Sequence, residues 1–229
     1  MTSIRLENDS VLLRLMKIED VQAITEVATD ERIWEHIAYT LATNADVNHY
    51  VAEQIELVEK GERLVFVIID KLANRIIGST SIYDISTHHG RCEIGSTWLT
   101  PAYWRTAVNT NCKYLLLHFI FEQMKLERVQ LKTDNLNIRS QNAIERIGAK
   151  FEGRLRSHMR RKDQSMRDTM VYSIIREEWP EVKAMLEGRI FEYIDRSERG
   201  RWICILQRKK SKSATLILIK WALYITQTI

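Results

Sequence analysis

The stretch from residue 93 to residue 153 constrains the fold most, because the spacing of its apolar residues changes several times. A strand-like apolar segment, 94–99, gives way to a turn at Thr100 and Pro101. Small residues, an apolar helix, a short strand and a second helix follow. A turn that leads directly into a helix exposes the backbone N–H groups of the first helical turn, which attract anions. This order permits a phosphate-bearing ligand at a helix start, although most helix starts bind nothing.

Three apolar runs joined by short turns precede this helix and predict an antiparallel meander. The predicted meander strands are residues 64–69, 76–83 and 91–99. An earlier strand at 11–15 and two helices, at 19–28 and 43–60, come before the meander. The second half of the chain predicts a crossover, in the order helix 109–124, strand 129–133, helix 138–147, hairpin strands 151–158 and 168–175, and a last helix at 177–186. Together these elements predict an α+β fold with about seven strands.

The net charge of +4 is unevenly distributed. Residues 191–229 carry eight Lys or Arg and three Asp or Glu, whereas residues 1–190 are nearly neutral. No nucleic-acid surface is therefore expected on the main body. We expect one domain over 1–190, followed by a basic and apolar extension over 191–229 of uncertain structure.

The three cysteines, Cys92, Cys112 and Cys204, form no C-x-x-C pair. Neither a disulfide framework nor a metal site at His88 and His89 is expected. The N-terminus does not resemble a signal peptide. The longest apolar stretch falls short of the roughly 20 residues that span a bilayer. We expect a cytoplasmic protein without a membrane span.

Four motifs in the central stretch together carry a family resemblance. They are Glu93-Ile94-Gly95, Leu99-Thr100-Pro101-Ala102-Tyr103-Trp104, Asn137-x-x-Ser140 and Gly148-Ala149-x-Phe151-Glu152-Gly153. With them, residues 11–179 resemble the GNAT superfamily of N-acetyltransferases, in the branch of ribosomal-protein N-terminal acetylases (RimJ/RimL type). The resemblance implies a mixed, mostly antiparallel central sheet with flanking helices and a V-shaped acetyl-CoA cleft.

The resemblance also implies where acetyl-CoA binds. The cosubstrate would lie between the third meander strand and the strand at 128–133, with no metal. Backbone groups of Trp98 and Leu99 would meet the pantetheine arm, and Asn137 would hydrogen-bond to it. The pyrophosphate would be held by the backbone N–H groups of Arg105, Thr106, Ala107, Val108, Asn109 and Thr110.

The predicted pyrophosphate loop departs from the family at Arg105 and Ala107, where glycine is common. Alanine at 107 adds one methyl group. Arginine at 105 is a larger change if the backbone there needs a glycine conformation, although its guanidinium could face a phosphate. This departure motivates an alternative, a GNAT-fold module that binds acetyl-CoA or CoA without turnover.

The reaction that the resemblance implies is direct attack of an amine on the thioester, with no covalent enzyme intermediate. Glu93 is the candidate to take the proton of the amine, directly or through water; it could instead be a surface or ion-paired carboxylate. His158 is a second candidate. Ser140 is the candidate donor to the departing sulfur, or else an ordinary first-turn hydroxyl.

The acceptor would be a primary amine, either a protein N-terminus or a small molecule. Trp34, Tyr39 and Tyr83 either line the acceptor side or belong to the core. A basic loop is a solvated face, or favours an acidic acceptor or the 3′-phosphate of the cosubstrate; it contains Arg156, Arg160, Arg161 and Lys162. A homodimer is possible by family analogy. A competing hypothesis assigns nucleic-acid or membrane association to the basic tail.

Overall fold

The structure, a computed structural model, describes the backbone of residues 4–208 and the side chains of residues 4–193. Its strands and helices largely follow the predicted order. The strands are β1 (Arg5–Glu7), β2 (Val11–Leu15), β3 (Arg63–Asp70), β4 (Arg75–Ser86), β5 (Arg91–Leu99), β6 (Arg128–Asp134), β7 (Lys150–Arg160) and β8 (Met166–Ile175). The α-helices are α1 (Val21–Ala28), α2 (Asn44–Glu59), α3 (Val108–His118), α4 (Ile138–Arg146) and α5 (Trp179–Arg208).

The eight strands form one sheet in the order β1-β2-β3-β4-β5-β6-β8-β7. Every neighbouring pair is antiparallel except β5 and β6, which are parallel. The predicted α+β class and the mixed, mostly antiparallel sheet are confirmed. The strand that the sequence did not predict is β1, whose three residues are too few to show an alternating pattern.

The parallel pair β5 and β6 splits soon after it begins. Pairing joins Arg91, Cys92 and Glu93 of β5 to residues 128–130 of β6 and goes no further. Beyond this point β5 continues to Leu99 and β6 to Asp134 without pairing with each other. The sheet therefore contains the V-shaped opening that the family resemblance implies, with Glu93 at its apex.

Alternation along the strands divides the core between the two faces of the sheet. The larger apolar cluster packs α3, α4 and the start of α5 against one face, and includes Phe66, Leu116 and Tyr172. The smaller cluster packs α1, α2 and the 3₁₀ turn Glu31–Trp34 against the other face, and includes Trp34. Residues that pair directly across antiparallel strands point to the same face of the sheet. Glu93 pairs with Tyr83, and Tyr83 pairs with Arg63 of β3, which lies on the face of the smaller cluster. The side chain of Glu93 therefore points to this second face.

Local sequence signals set several helix ends. Thr43 accepts the backbone N–H of Asp46 at 3.2 Å, and the Asp46 carboxylate accepts the N–H of Thr43 at 2.9 Å. This reciprocal pair begins α2 as predicted. Gly148, with φ of +91°, follows α4 in the left-handed conformation expected there.

Two predicted helices have different lengths in the structure. The predicted helix 109–124 is α3 followed by a π-helical turn, Phe119–Gln123. The sequence pattern predicts that the last helix ends at residue 186, but α5 continues to Arg208. Gly188 does not stop it, because an interior glycine weakens a helix by about 1 kcal/mol without breaking it.

By its internal contacts the chain divides into two units, Met1–Glu187 and Gly188–Ile229. The sheet and the opening belong to the first unit. Of the second unit, the described part is the end of α5. The apolar segment predicted in the tail lies outside the described residues. Within residues 4–208, no helix combines the length and apolar character that crossing a bilayer requires.

Candidate active site

Glu93 lies at the apex of the opening and is only 3% exposed. Its Oε1 accepts a hydrogen bond of 2.6 Å from the hydroxyl of Tyr83. Its Oε2 accepts from Gln130 Nε2 at 3.2 Å and pairs with Lys132 Nζ at 2.7 Å. Glu93 is thus a buried carboxylate with an ionic partner, and the surface-carboxylate alternative is wrong.

Tyr83 and Gly95 shape the space around this carboxylate. The phenol ring crosses Gly95 so closely that a Cβ atom at residue 95 would overlap its oxygen. Burial, together with the charge and hydrogen bond of Glu93, raises the pKa of Tyr83, so the phenol stays protonated and donates. Packing, not backbone conformation, therefore requires glycine at residue 95.

A β-bulge interrupts β5 just beyond Gly95. Ser96 and Thr97 together lie opposite Thr80, and Ser96 has a left-handed φ of 48°. Lys113 of α3 donates from Nζ to Thr97 Oγ1 at 2.7 Å. Lys113 is buried, and burial lowers its pKa to about 8. No carboxylate in the described part of the chain pairs with this ammonium within 4.0 Å.

The predicted pyrophosphate loop shows what the two missing glycines mean. Arg105 has φ of 60°, the left-handed conformation that glycine adopts without cost. Ala107 has φ of −70° and ψ of −12°, which any residue adopts. The backbone therefore tolerates alanine at 107, whereas Arg105 occupies a position whose conformation favours glycine.

Thr106, between Arg105 and Ala107, closes the turn before α3, and the first turn of α3 has backbone N–H groups without hydrogen bonds within the described chain. The Thr106 hydroxyl donates to the Tyr103 carbonyl at 2.8 Å and accepts the N–H of Val108 at 3.3 Å. The backbone N–H groups of Asn109 and Thr110 make no hydrogen bond to any described residue. These two donors and the positive end of the α3 dipole suit a phosphate.

The second helix-entry motif opens α4 on the other side of the opening. The side chain of Asn137 accepts the backbone N–H of Ser140 at 2.9 Å and so caps the helix. The Ser140 hydroxyl takes no part in this cap and makes no hydrogen bond to a described residue. Asn137 and Ser140 are therefore held as a unit at the end of β6, and no direct contact joins Ser140 to Glu93.

Arg139 connects the two arms of the opening. Its guanidinium carbon lies 3.9 Å from the ring centroid of Trp104, a cation–π contact between α4 and the loop before α3. The Trp104 indole in turn donates to the carbonyl of Leu99 at 2.8 Å. These two contacts join α4, the loop before α3 and the end of β5.

Trp98 and Leu99 direct their backbone groups to opposite edges of β5. The N–H of Thr100 donates to the Ile77 carbonyl of β4 at 2.9 Å. Backbone direction alternates along a strand, so the groups of Trp98 also face β4 and those of Leu99 face the opening. Leu99, more than Trp98, is thus placed to offer backbone groups to a ligand between the arms.

A set of buried polar groups without partners lies on the same face as Glu93. Five atoms are buried and make no hydrogen bond within the described residues: the hydroxyls of Tyr39, Tyr50, Ser79 and Ser81, and Nε1 of Trp98. Tyr50 lies close to Tyr39, Ser79 and Trp98, and burial raises its pKa.

The other candidates are placed as follows. His158 is exposed, and its Nδ1 lies 3.0 Å from Thr169 Oγ1 without a contact to Glu93. Trp34 is 2% exposed and belongs to the smaller core, where its ring lies 5.4 Å from that of Trp98. Among residues 4–193, no group of three or more His, Cys, Asp or Glu side chains is arranged to hold a metal ion.

The mixed sheet with its flanking helices is shared with a solved structure described as a putative acetyltransferase, which is 32% identical with a TM-score of 0.73 over 81% of this chain and 93% of that one. The sequence profile described as "Acetyltransferase (GNAT) domain" matches residues 10–150, more than half of the chain. The chain therefore belongs to the GNAT acetyltransferase family and is an acetyltransferase. Members of this family generally use acetyl-CoA.

Individual relatives agree with this assignment. The uncharacterized N-acetyltransferase p20 of Bacillus licheniformis is 23% identical over 76% of this chain and 97% of its own length. A GCN5-related N-acetyltransferase structure from Brucella melitensis is 25% identical, with a TM-score of 0.76, over 81% of this chain and 84% of that one. A ribosomal-protein-S5-alanine acetyltransferase structure from Vibrio fischeri shares the fold, with 19% identity and a TM-score of 0.65 over 77% of this chain and 98% of that one.

The immediate partners of Glu93 were not predicted from the sequence. Gln130 and Lys132 alternate with apolar residues in β6, so their common face was visible in the sequence. Their contact with Glu93 depends on the register of the parallel pair, which no local pattern specifies. The contact between Arg139 and Trp104 had no sequence signal.

Proposed function

We propose that this chain transfers the acetyl group of acetyl-CoA directly to a primary amine in a ternary complex. The observation that carries the proposal is the ion pair of Glu93 at the apex of the opening. The partner, Lys132 Nζ, is itself a primary ammonium held 2.7 Å from Oε2. The ion pair fixes the carboxylate at the apex, so an amine that enters the opening meets a positioned proton acceptor.

Glu93 takes the proton of the attacking amine, directly or through water. A carboxylate offers about four acceptor sites, and three of them are used by Tyr83, Gln130 and Lys132. One site is left for the amine, and the other three contacts fix the orientation of the carboxylate. His158 is the weaker candidate for this role, because it is exposed and hydrogen-bonds Thr169 instead.

The arms of the opening hold the cosubstrate. The backbone edge at Leu99 and the side chain of Asn137 meet the pantetheine, with Trp98 behind them. The loop and first helical turn hold the pyrophosphate through the N–H groups of Arg105, Thr106, Ala107, Val108, Asn109 and Thr110. The free donors of Asn109 and Thr110 support this role best.

The hydroxyl of Ser140 donates a hydrogen bond to the departing thiolate, which takes its proton from solvent, while Glu93 returns the proton of the amine to solvent. The structure makes Ser140→Ala a clean test, because the α4 cap uses the backbone N–H of Ser140 and not its hydroxyl. The variant should keep its fold and its calorimetric Kd for acetyl-CoA while kcat falls. An unchanged kcat would remove Ser140 from the mechanism.

A thiol-release screen tests the overall proposal. Full-length protein and acetyl-CoA are combined with three acceptor classes: peptides with free N-termini, small primary amines and aminoglycosides. N-terminal peptides are included because the Vibrio fischeri neighbour is named a ribosomal-protein acetyltransferase. Amine-dependent thiol release supports the proposal. Calorimetric binding of acetyl-CoA with no release for any acceptor would favour the non-catalytic module that Arg105 motivates.

Three broader assignments belong to the same proposal. We place catalysis in residues 1–190 and no catalytic role in 191–229, so deleting 191–229 should leave acetyl-CoA binding intact. A large loss of binding would contradict this division. A homodimer follows from family analogy, and a cytoplasmic location agrees with the free, buried thiols of Cys92 and Cys112.

A further inference from the structure

A cleft of about 190 Å³ lies between residues 35–38 and the β7–β8 hairpin, residues 159–167. It is on the same face of the sheet as Glu93. Lys132 and Asp134 are two residues apart in β6, so their side chains lie on the same face of the sheet. The wall of the cleft at Asp134 therefore continues to Lys132, the residue that pairs with Glu93. An acceptor whose amine reaches Glu93 can therefore extend into this cleft.

The carboxylates of the cleft are already balanced or exposed. Asp134 is buried, and Arg161 binds both of its oxygens at 2.7 and 2.8 Å. Asp163 is exposed and accepts hydrogen bonds from Ser165. Glu35 is exposed and lies 3.9 Å from His36. No carboxylate of the cleft is left buried without donors.

Three cations of the cleft, in contrast, have no carboxylate within 4.0 Å among the described residues. The Arg160 side chain is exposed and makes no hydrogen bond to a described residue. Lys162 donates to two neutral oxygens, the Trp34 carbonyl at 2.8 Å and Thr40 Oγ1 at 2.5 Å. Arg167 donates from Nε to Thr169 Oγ1 at 3.1 Å, which leaves both of its Nη groups free.

Desolvation acts on two of these cations. It lowers the pKa of Lys162, and it lowers the pKa of Arg167 more than the nearby charges of Asp134 and Glu93 raise it. Cations that have lost water without gaining a counter-ion bind an anion favourably, because the anion restores the lost stabilisation. Arg167 lines the cleft, and its hydrogen bond to Thr169, which pairs with Asp134 of β6, directs its side chain along β8 toward the opening.

We propose that this cleft binds an anionic group of the acceptor, a carboxylate close to the primary amine, through Arg160, Lys162 and Arg167. The inference rests on the proposed acetyl transfer and adds the class of acceptor, an amino acid or an N-terminal peptide with acidic residues near its amine. Arg167 bridges the amine and the anion, and Arg160 binds the anion from the hairpin.

Matched acceptors and matched variants test this assignment. The probes are two hexapeptides with free N-termini that differ only in having glutamate or glutamine at the second to fourth residues. The variants are Arg160→Gln and Arg167→Gln. Arg156→Gln is the control. Arg156 is an exposed arginine of β7, the strand that contains Arg160, and it does not line the cleft. The measured quantity is the ratio of kcat/KM for the acidic and the neutral peptide.

We expect the wild type and Arg156→Gln to prefer the acidic peptide on the order of tenfold or more, and each cleft variant to reduce that ratio on the order of tenfold. Arg160→Glu should favour the neutral peptide. Equal use of both peptides by the wild type, or an equal effect of Arg156→Gln, would overturn the proposal.

Two further measurements distinguish an acceptor anion from the 3′-phosphate of the cosubstrate and test the cleft without turnover. If the cleft binds the 3′-phosphate instead, Arg160→Gln will abolish the KM difference between acetyl-CoA and its 3′-dephospho form, and the proposal fails. If no peptide is acetylated, calorimetry of the two peptides with protein and CoA still tests the cleft. Tighter binding of the acidic peptide that is lost in Arg160→Gln would support the anion site while the transfer proposal fails, and equal binding would overturn both.

Discussion

Lys132 Nζ and Glu93 Oε2 lie 2.7 Å apart and join the two arms of the opening, between the last paired residue of β5 and the residue two positions beyond the last paired residue of β6. The carboxylate is 3% exposed and the lysine side chain 26% exposed, so the pair lies at the edge of the interior. The pair ties β5 to β6 at the apex of the opening and fixes the position of the carboxylate.

Replacing Lys132 alone should therefore lower the free energy of unfolding more than replacing both Lys132 and Glu93. Lys132→Met leaves a buried carboxylate without its cation and should lower the free energy of unfolding by about 1–3 kcal/mol at pH 7. Glu93→Gln in the same chain should restore part of that loss. A double-mutant cycle from urea unfolding measures the coupling. Lys150→Met, which removes an exposed partner of Glu178, is the control and should cost less. Additive effects of the two substitutions would contradict the coupling.

Gly95 should be irreplaceable because the Tyr83 ring fills the space beside it. Gly95→Ala places a methyl group against the phenol oxygen and should destabilise the protein by about 1–3 kcal/mol. Gly153→Ala is the control, since a Cβ there meets nothing within 4 Å. Adding Tyr83→Phe to Gly95→Ala should recover part of the loss in thermal unfolding. No recovery would show that the clash is elsewhere.

The left-handed backbone at Arg105 predicts a stabilising substitution. A non-glycine residue in this conformation destabilises the folded state by about 1–2 kcal/mol. Replacing it with glycine removes that strain but costs about 0.5–1 kcal/mol, because glycine loses more backbone freedom on folding. Arg105→Gly should thus stabilise the protein by up to about 1 kcal/mol in denaturant unfolding without cosubstrate. Ala107→Gly, at a right-handed position, should destabilise it. Equal shifts for both variants would argue against strain at Arg105.

Lys113 should make stability depend on pH between about 8 and 10. Burial lowers its pKa from 10.5 to about 8, so in this window the unfolded chain binds more protons than the folded chain. The free energy of unfolding therefore rises with pH across this window, and the cost of burying the charge is complete below it. Lys113→Met removes that cost, which is roughly 3 kcal/mol, and loses one hydrogen bond, about 1 kcal/mol.

We accordingly expect Lys113→Met to be more stable than the wild type at pH 7, by about 2 kcal/mol, and the difference to shrink as the pH approaches 10. Urea unfolding at several pH values measures this. The control is Lys60→Met, at an exposed lysine paired with Glu56, whose difference from the wild type should stay level between pH 7 and 9.5. A constant difference for Lys113→Met would mean that its pKa is close to normal.

Local patterns were enough to predict most of the fold. Alternating apolar residues predicted the meander strands, and the capping pair of Thr43 and Asp46 predicted the start of α2. The edge strand β1 and the bulge at Ser96 were not predicted. A three-residue strand carries no period, and a bulge shifts the pattern by one residue without any characteristic residue type.

The candidate site was predictable only in part. Glu93 and the Asn137 motif could be named from sequence because the family resemblance marks both of them, one within β5 and the other at the start of α4. The contacts of Glu93 with Lys132 and of Trp104 with Arg139 could not, because they join elements on opposite arms of the opening. Their meeting depends on tertiary register, which the sequence does not display locally.

The role of Glu93 is tested most directly by Glu93→Gln, measured with the best amine found in the thiol-release screen. The variant retains the shape of the side chain and can still accept from Tyr83, but it cannot take a proton. We predict that kcat falls about 100-fold or more while the calorimetric Kd for acetyl-CoA is unchanged. A kcat close to that of the wild type would contradict the assignment of Glu93 as the base.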